Sequence, residues 1–129
     1  MSDARYMLDA SAALAMMLGE AGGEQVRERL AASQISTVNL SEVVAKLQEA
    51  GVPDEVIASS LAELNFDVLA FDQSQAVRAG LLRASTRSNG LSLGDRACLS
   101  AAESCNAVAV TTDRAWGKLQ LDIAVEVLR

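Results

Sequence analysis

Four acidic residues stand where a strand would end or a helix would begin. They are Asp9 in YMLDASAAL, Glu42 in NLSEVVAKL, Asp95 in LSLGDRACLSAA and Asp113 in TTDRAW. Carboxylate oxygens are the ligands that Mg²⁺ and Mn²⁺ prefer in proteins. Ions bound in this way lower the pKa of a bound water and neutralise charge on a phosphate, so the chemistry that these residues could carry is hydrolysis of a phosphodiester bond.

Each acid also has a purely structural explanation. Ser92 and Asp95 have the S-x-x-D spacing of a capping box, in which the two side chains accept hydrogen bonds from N–H groups of the first helical turn. Asn39 and Glu42 fit a similar capping pattern, and the other two acids could each cap the turn that follows them. Taken one at a time, the acids are better explained as caps. Four independent caps, however, would leave their common location to chance.

The chain contains no histidine. This excludes a Ser-His-Asp or Cys-His nucleophile, imidazole acid–base chemistry and the usual histidine-bearing zinc sites. The net charge of −6 fits a site rich in acids, and it argues against the basic surface that gives strong nonspecific binding to nucleic acid. If the chain catalyses a reaction, carboxylates must carry it.

The elements that would position the acids alternate between short apolar runs and helical patterns. We predict strands at 6–8, 35–38, 67–71, 108–111 and 123–128. We predict helices at 11–18, 24–32, 39–49, 53–64, 73–88, 91–105 and 113–119. This order predicts a parallel sheet with helices on both faces, which is a three-layer α/β/α domain.

Ligand sites in such sheets lie beyond the carboxyl ends of the strands. Asp9 and Asp113 directly follow predicted strands, and Glu42 and Asp95 lie in first turns of the helices between strands. Several carboxylates at one end of a sheet repel one another and should have raised pKa values, a cost that divalent cations remove. The sequence therefore predicts a shared Mg²⁺ or Mn²⁺ site at this end of the sheet.

Size and composition favour one soluble domain spanning residues 1–129. Half of the residues are apolar and only one is proline, so the chain is long enough to bury a full core. No uncharged apolar run approaches the roughly 18 residues that a membrane span needs. The opening MSDARYML is too acidic for a signal peptide, and we therefore expect a cytoplasmic protein without membrane contact.

The four acidic stretches, in this order and spacing, resemble those of PIN-domain proteins and specifically the VapC-type toxins of bacterial toxin–antitoxin systems. LSLGDRACLSAA and TTDRAW are the most specific, and together the stretches cover nearly the whole chain. The resemblance implies a PIN-like α/β/α fold with a central, mainly parallel sheet of about five strands. It also implies a Mg²⁺- or Mn²⁺-dependent endoribonuclease that acts on RNA, is silenced by a cognate antitoxin protein, and forms a homodimer.

The resemblance also assigns roles to individual residues. By match to the family's motifs, Asp9 and Asp95 would be the principal metal ligands, Glu42 the third catalytic acid and Asp113 the fourth. Ser11 and Thr111 match hydroxyl positions beside the site, where such groups orient ligands or water. Four further residues are considered for contacts with RNA phosphates, although a solvated surface position is the commoner role of such residues; they are Arg83, Arg87, Arg96 and Arg114.

Two other classes of function remain open. One is a catalytically inactive PIN-fold binding module, against which the intact set of four acids argues. The other is a different Mg²⁺-dependent phosphoryl hydrolase of α/β fold. A haloacid-dehalogenase-like phosphatase requires D-x-D after the first strand, whereas this chain has Asp9, Ala10 and Ser11 there. A receiver-type domain would place a lysine after a late strand, where this chain has Thr111 and Thr112.

Overall fold

A computed structural model of the protein describes residues 5–129, so residues 1–4 of the predicted domain lie outside the described residues. In this range the chain forms one five-stranded sheet in the order β3-β2-β1-β4-β5. The strands are β1 (Tyr6–Leu8), β2 (Ser33–Ser36), β3 (Asp67–Leu69), β4 (Val108–Thr111) and β5 (Val125–Val127). Every pairing is parallel, so the carboxyl ends of all five strands lie at the same edge.

Seven α-helices in the described range flank the sheet and give the predicted three-layer fold. They are α1 (Ala10–Leu18), α2 (Gly23–Arg29), α3 (Thr37–Glu49), α4 (Asp54–Leu64), α5 (Gln73–Leu81), α6 (Arg83–Thr86) and α7 (Leu93–Ser104). None of these helices is both long and apolar enough to cross a membrane.

The central strand β1 shows how the two faces of the sheet are covered. Successive side chains of a strand point to opposite faces. Met7 joins the apolar cluster that includes Cys98 and Leu99 of α7. Leu8, the next residue, joins the opposite cluster with Ala12 of α1. The sheet is therefore buried on both faces at Met7 and Leu8, and Asp9 follows at the carboxyl end of β1.

The register places that end of β1 beside the end of β4. Leu8 pairs with Val110, and the Asp9 amide donates a hydrogen bond to the Val110 carbonyl at 3.0 Å. The chain also reverses its direction of travel across the sheet here, because β2 and β3 lie on one side of β1 while β4 and β5 lie on the other. Such a switch point is where α/β sheets bind ligands.

Two predicted boundaries were wrong because side-chain hydroxyls end the elements differently. The second strand spans Ser33–Ser36 rather than 35–38, since the Ser36 hydroxyl accepts a hydrogen bond from the Val38 amide at 3.2 Å and starts α3 two residues early. The predicted helix 73–88 is divided into α5, α6 and the 3₁₀ helix Arg87–Asn89. There, the Ser85 and Thr86 hydroxyls donate to the Leu82 carbonyl in addition to the Thr86 amide, and such side-chain bonds weaken and bend helices.

Two smaller differences lie near the end of the chain. The predicted helix 113–119 is the 3₁₀ helix Arg114–Lys118, and the predicted strand 123–128 is the shorter β5. Residues 24–32 likewise end in a 3₁₀ turn, Leu30–Ala32, after α2. None of these differences moves the predicted site residues to another edge of the sheet.

Candidate metal centre

Asp9 is the most firmly held of the four acids. It is 3% exposed and caps α1, where its Oδ1 accepts hydrogen bonds from the Ala12 amide at 2.8 Å and the Ser11 hydroxyl at 2.7 Å. Its Oδ2 accepts from the Thr111 hydroxyl at 2.5 Å. Burial raises the pKa of Asp9 to about 6, against the lowering effect of these three hydrogen bonds, and the charge of Asp95 adds a smaller rise.

The predicted crowding of acids is therefore only the lesser cause of this pKa shift, and desolvation is the main one. A carboxylate that binds a proton this readily near neutral pH is poorly compensated by the protein alone. A cation at the same oxygens would supply the missing compensation.

The hydroxyls of Ser11 and Thr111 form a short network around Asp9. Their two oxygens lie 3.1 Å apart, and Thr111 is fully buried at the end of β4. The Ser11 hydroxyl accepts from the Thr112 amide at 3.0 Å, and the Thr111 hydroxyl accepts from the Asp113 amide at 3.0 Å. Because each hydroxyl oxygen accepts from a backbone amide, its single hydrogen is free to be donated to the Asp9 carboxylate.

Asp95 forms the capping box that its spacing predicts. The Asp95 amide donates to the Ser92 hydroxyl at 3.2 Å, and the Ser92 amide donates to Oδ2 of Asp95 at 3.0 Å. The side chain is partly buried, and its charge acts on Asp9. The prediction that Asp95 caps α7 is thus confirmed. The capping hydrogen bond uses one of its two carboxylate oxygens, Oδ2.

Glu42 does not serve as a helix cap. Since α3 begins at Thr37 with Ser36 as its cap, Asn39 lies inside the helix and the predicted capping pattern with Glu42 is wrong. The Asn39 amide nitrogen instead donates to Oε1 of Glu42 at 2.9 Å and to the Gly94 carbonyl at 3.0 Å. The Glu42 carboxylate is thereby brought from α3 onto the first turn of α7, next to Asp95.

The thiol of Cys98, one turn beyond Asp95 in α7, is close enough to three of the acids for their charges to act on it. Burial raises the pKa of the Cys98 thiol well above its ordinary value, and the charges of Asp9, Asp95 and Glu42 raise it further. The three acids come from different elements, so their proximity is a property of the fold.

Asp113 stands apart from these three. It is exposed, and its Oδ1 accepts from the Ala115 amide at 2.9 Å, which caps the 3₁₀ helix Arg114–Lys118. Its connection to Asp9 runs through the Thr111 hydroxyl, which bonds to the Asp113 amide and to the Asp9 carboxylate. The structure places Asp113 at the same edge of the sheet as Asp9, and Asp113 is more exposed than the other three acids.

The chemistry of these residues fits a hard divalent cation, which takes oxygen ligands. The acids whose charges act on Cys98 offer three carboxylates, and Oδ1 of Asn39 is a buried oxygen without a hydrogen-bond partner. As the side chains stand, no three acids or cysteines within residues 5–129 are close enough together to hold a metal ion. The donor set is thus suitable in kind for such a cation.

Of the four arginines considered for phosphate contacts, Arg96 was predicted wrongly. Its side chain is buried, and Nη1 donates to the Ala79 carbonyl of α5 at 3.0 Å, so that it fastens α7 to α5. Arg83, Arg87 and Arg114 are exposed. Sequence reasoning also missed Asn39 and Gly94, although an amide three residues before Glu42 and a glycine next to Asp95 were visible signals.

Comparison with known proteins agrees with this fold. The PIN domain model matches residues 6–120. No match to the chain was found among curated proteins. The DNA-bound VapBC of Salmonella typhimurium is similar in structure, with 21% identity, a TM-score of 0.74 and coverage of 95% of this chain and 97% of that one.

Two further solved structures show the same fold. VapBC2 of Rickettsia felis, bound to a fragment of its promoter DNA, has 20% identity, a TM-score of 0.76 and coverage of 96% and 98% of the two chains. VapBC-5 of Mycobacterium tuberculosis, a toxin–antitoxin system, has 21% identity, a TM-score of 0.64 and coverage of 98% of each chain. The protein belongs to the PIN domain family.

Proposed function

We propose that this protein is a Mg²⁺- or Mn²⁺-dependent endoribonuclease of the VapC type, acting in the cytoplasm as the toxin of a toxin–antitoxin pair. The observation that carries the proposal is the buried Asp9 carboxylate at the switch point of the sheet. The contact of the Glu42 carboxylate with the first turn of α7, the turn that bears Asp95, supports it. Family membership and the toxin–antitoxin assemblies named for the similar structures support it.

In this proposal, Asp9 and Asp95 hold the metal, with Glu42 and Asp113 as the third and fourth acids. A bound Mg²⁺ supplies an acidified water and neutralises charge on the scissile phosphate. The hydroxyls of Ser11 and Thr111 orient the Asp9 carboxylate, and the capping hydrogen bond from the Ser92 amide orients that of Asp95.

The first test is cleavage of total cellular RNA by the purified protein, resolved on a gel, with Mn²⁺ or Mg²⁺ and with EDTA. We expect metal-dependent fragments from the unmodified protein and none from Asp9→Asn. The matched control is Asp67→Asn, because Asp67 is an exposed acid at the opposite, amino-terminal end of β3. Cleavage by Asp9→Asn, or equal loss in the control, would contradict the assignment of the site.

The resemblance to VapC-type toxins also leads us to propose that residues 1–129 form one domain. We propose two protein partners for it, a cognate antitoxin and a second copy of the same chain. The similar VapBC structures carry toxin–antitoxin names, which supports a cognate antitoxin partner.

We also propose a homodimer. Light scattering on the purified protein should give the mass of two chains, and co-expression with the product of an adjacent short gene should give a complex that lacks nuclease activity. A folded protein that cleaves no RNA and binds no metal would favour the inactive binding module.

A further inference from the structure

The Glu42 carboxylate lies between Asn39 and Gly94, two residues to which neither the sequence analysis nor the resemblance assigned a role at the metal site. We infer that Asn39 and Gly94 together position this carboxylate for metal binding, and that Asn39 is a positioning residue acting through Glu42. The inference rests on the proposed function, in which Glu42 is a metal ligand.

The orientation of the Asn39 amide follows from its neighbours. Oε1 of Glu42 at 2.9 Å and the Gly94 carbonyl at 3.0 Å are both acceptors. Only the amide nitrogen, with its two hydrogens, can serve both, since the opposite orientation would set an oxygen against two oxygens. Asn39 therefore connects the Glu42 side chain to the backbone of the first turn of α7. Because Asn39 is only 1% exposed, its own side chain is held in place by packing.

Gly94 limits the carboxylate from the other side. A Cβ atom on Gly94 would lie 2.2 Å from Oε2 of Glu42 and 2.4 Å from both its Cδ and its Oε1, which is far inside contact distance. The nearest atoms are all from this one carboxylate, so the absence of a side chain at Gly94 makes room for Glu42 in particular. The carboxylate thus lies against the amino-terminal turn of α7, where the helix dipole favours negative charge.

The presence of an amide side chain at position 39 costs stability, and packing alone would favour an apolar residue there. Oδ1 of Asn39 is buried without a hydrogen-bond partner, and an unpaired buried polar atom costs about 1–3 kcal/mol. An apolar side chain of similar size in α3 would avoid that cost. The amide is explained if its two donated hydrogen bonds are needed to fix the carboxylate.

The test is a double-mutant cycle on Mn²⁺ affinity, measured by calorimetry on metal-free protein. We expect Asn39→Leu and Gly94→Ala each to weaken binding by about 10-fold or more, the usual effect of removing a group that orients a metal ligand. In a Glu42→Ala background, where the carboxylate is absent, neither substitution should weaken binding further. Gly94→Ala leaves the buried amide intact, so it serves if Asn39→Leu folds poorly.

The outcomes separate this inference from the proposed function. If the unmodified protein and Asp9→Asn bind Mn²⁺ equally, the metal site is wrong and the inference falls with it. If only the unmodified protein binds Mn²⁺ well, but Asn39→Leu and Gly94→Ala retain its affinity, the metal site stands and the inference is overturned. Equal losses with and without Glu42 would show that Asn39 merely joins α3 to α7, which also overturns it.

Discussion

At the scale of single residues, the candidate site depends on how one buried carboxylate is compensated. Asp9 accepts hydrogen bonds from a backbone amide and two hydroxyls, yet burial still outweighs them and raises its pKa to about 6. A site intended only for helix capping would gain nothing from such burial, because an exposed carboxylate caps equally well. The raised pKa has consequences for stability that can be measured without metal.

The stability of metal-free protein should fall as the pH rises through the pKa of Asp9. The folded-state pKa of about 6 exceeds the unfolded value of 3.8, so the folded state binds the proton more tightly. The contribution of this proton to the free energy of unfolding is fully present below about pH 4 and is lost by about pH 7. The total change is up to about 3 kcal/mol. Urea denaturation in EDTA across this range should show the fall in the unmodified protein but not in Asp9→Asn. Parallel pH profiles of the two proteins would contradict the prediction.

Removing the hydroxyl of Thr111 should destabilise the protein in a pH-dependent way. Thr111 is buried and donates to Oδ2 of Asp9, and a hydrogen bond to a charged group is worth about 1.5–3 kcal/mol. Thr111→Val should therefore lower the free energy of unfolding by about this much near pH 7 and by less near pH 5, where Asp9 is largely protonated. Thr111→Ser keeps the hydroxyl and is the matched control. A loss that is the same at both pH values would assign Thr111 to packing.

At the scale of helices and strands, the type and order of the elements could be predicted wherever apolar periodicity determines them. All five predicted strands are present, although the second, third and fifth differ in extent from the prediction, and the parallel sheet follows from the alternation of strands and helices. The pattern was insufficient where single hydroxyls competed with the backbone, as at Ser36 and Thr86. Such hydrogen bonds depend on local geometry that composition does not reveal.

The site itself was predictable in part for the same reason. Parallel strands bring Asp9 and Asp113 to one edge of the sheet, which the order of elements is enough to show. The placement of Glu42 was not predictable, because it depends on Asn39 and on the missing side chain of Gly94, contacts between residues 55 positions apart.

The two roles of Asp95, helix cap and proposed metal ligand, should be separable by mutation. Ser92→Ala removes one half of the capping box and should cost about 1 kcal/mol of stability in metal-free protein. Asp95→Asn keeps an acceptor for the Ser92 amide, so the stability without metal should change little. Mn²⁺ should raise the Tm of Ser92→Ala as it does that of the unmodified protein, but it should fail to do so for Asp95→Asn. Equal Mn²⁺ responses of the two variants would leave Asp95 as a cap alone.

At the scale of the whole molecule, the distribution of charge restricts how an RNA could approach. The net charge of −6 repels a polyanion, and the acids of the candidate site add to that repulsion. Exposed arginines lie on the segments that flank the site: Arg87 opens the 3₁₀ helix that precedes α7, and Arg114 directly follows Asp113. These two 3₁₀ helices lie against each other, so their cations occupy one region of the surface.

Reversing the charge of this region should weaken RNA binding without disturbing the site. The double variant Arg87→Glu, Arg114→Glu should raise KM for RNA cleavage several-fold with little change in kcat, and the dependence of KM on salt should become weaker as phosphate contacts are lost. The control is Arg27→Glu, Lys46→Glu, which changes the net charge equally at exposed positions of α2 and α3. If both double variants raise KM alike, the effect comes from net charge, and RNA does not use this region. If only the first does, the arginines beside Asp113 mark the path of the RNA backbone into the site.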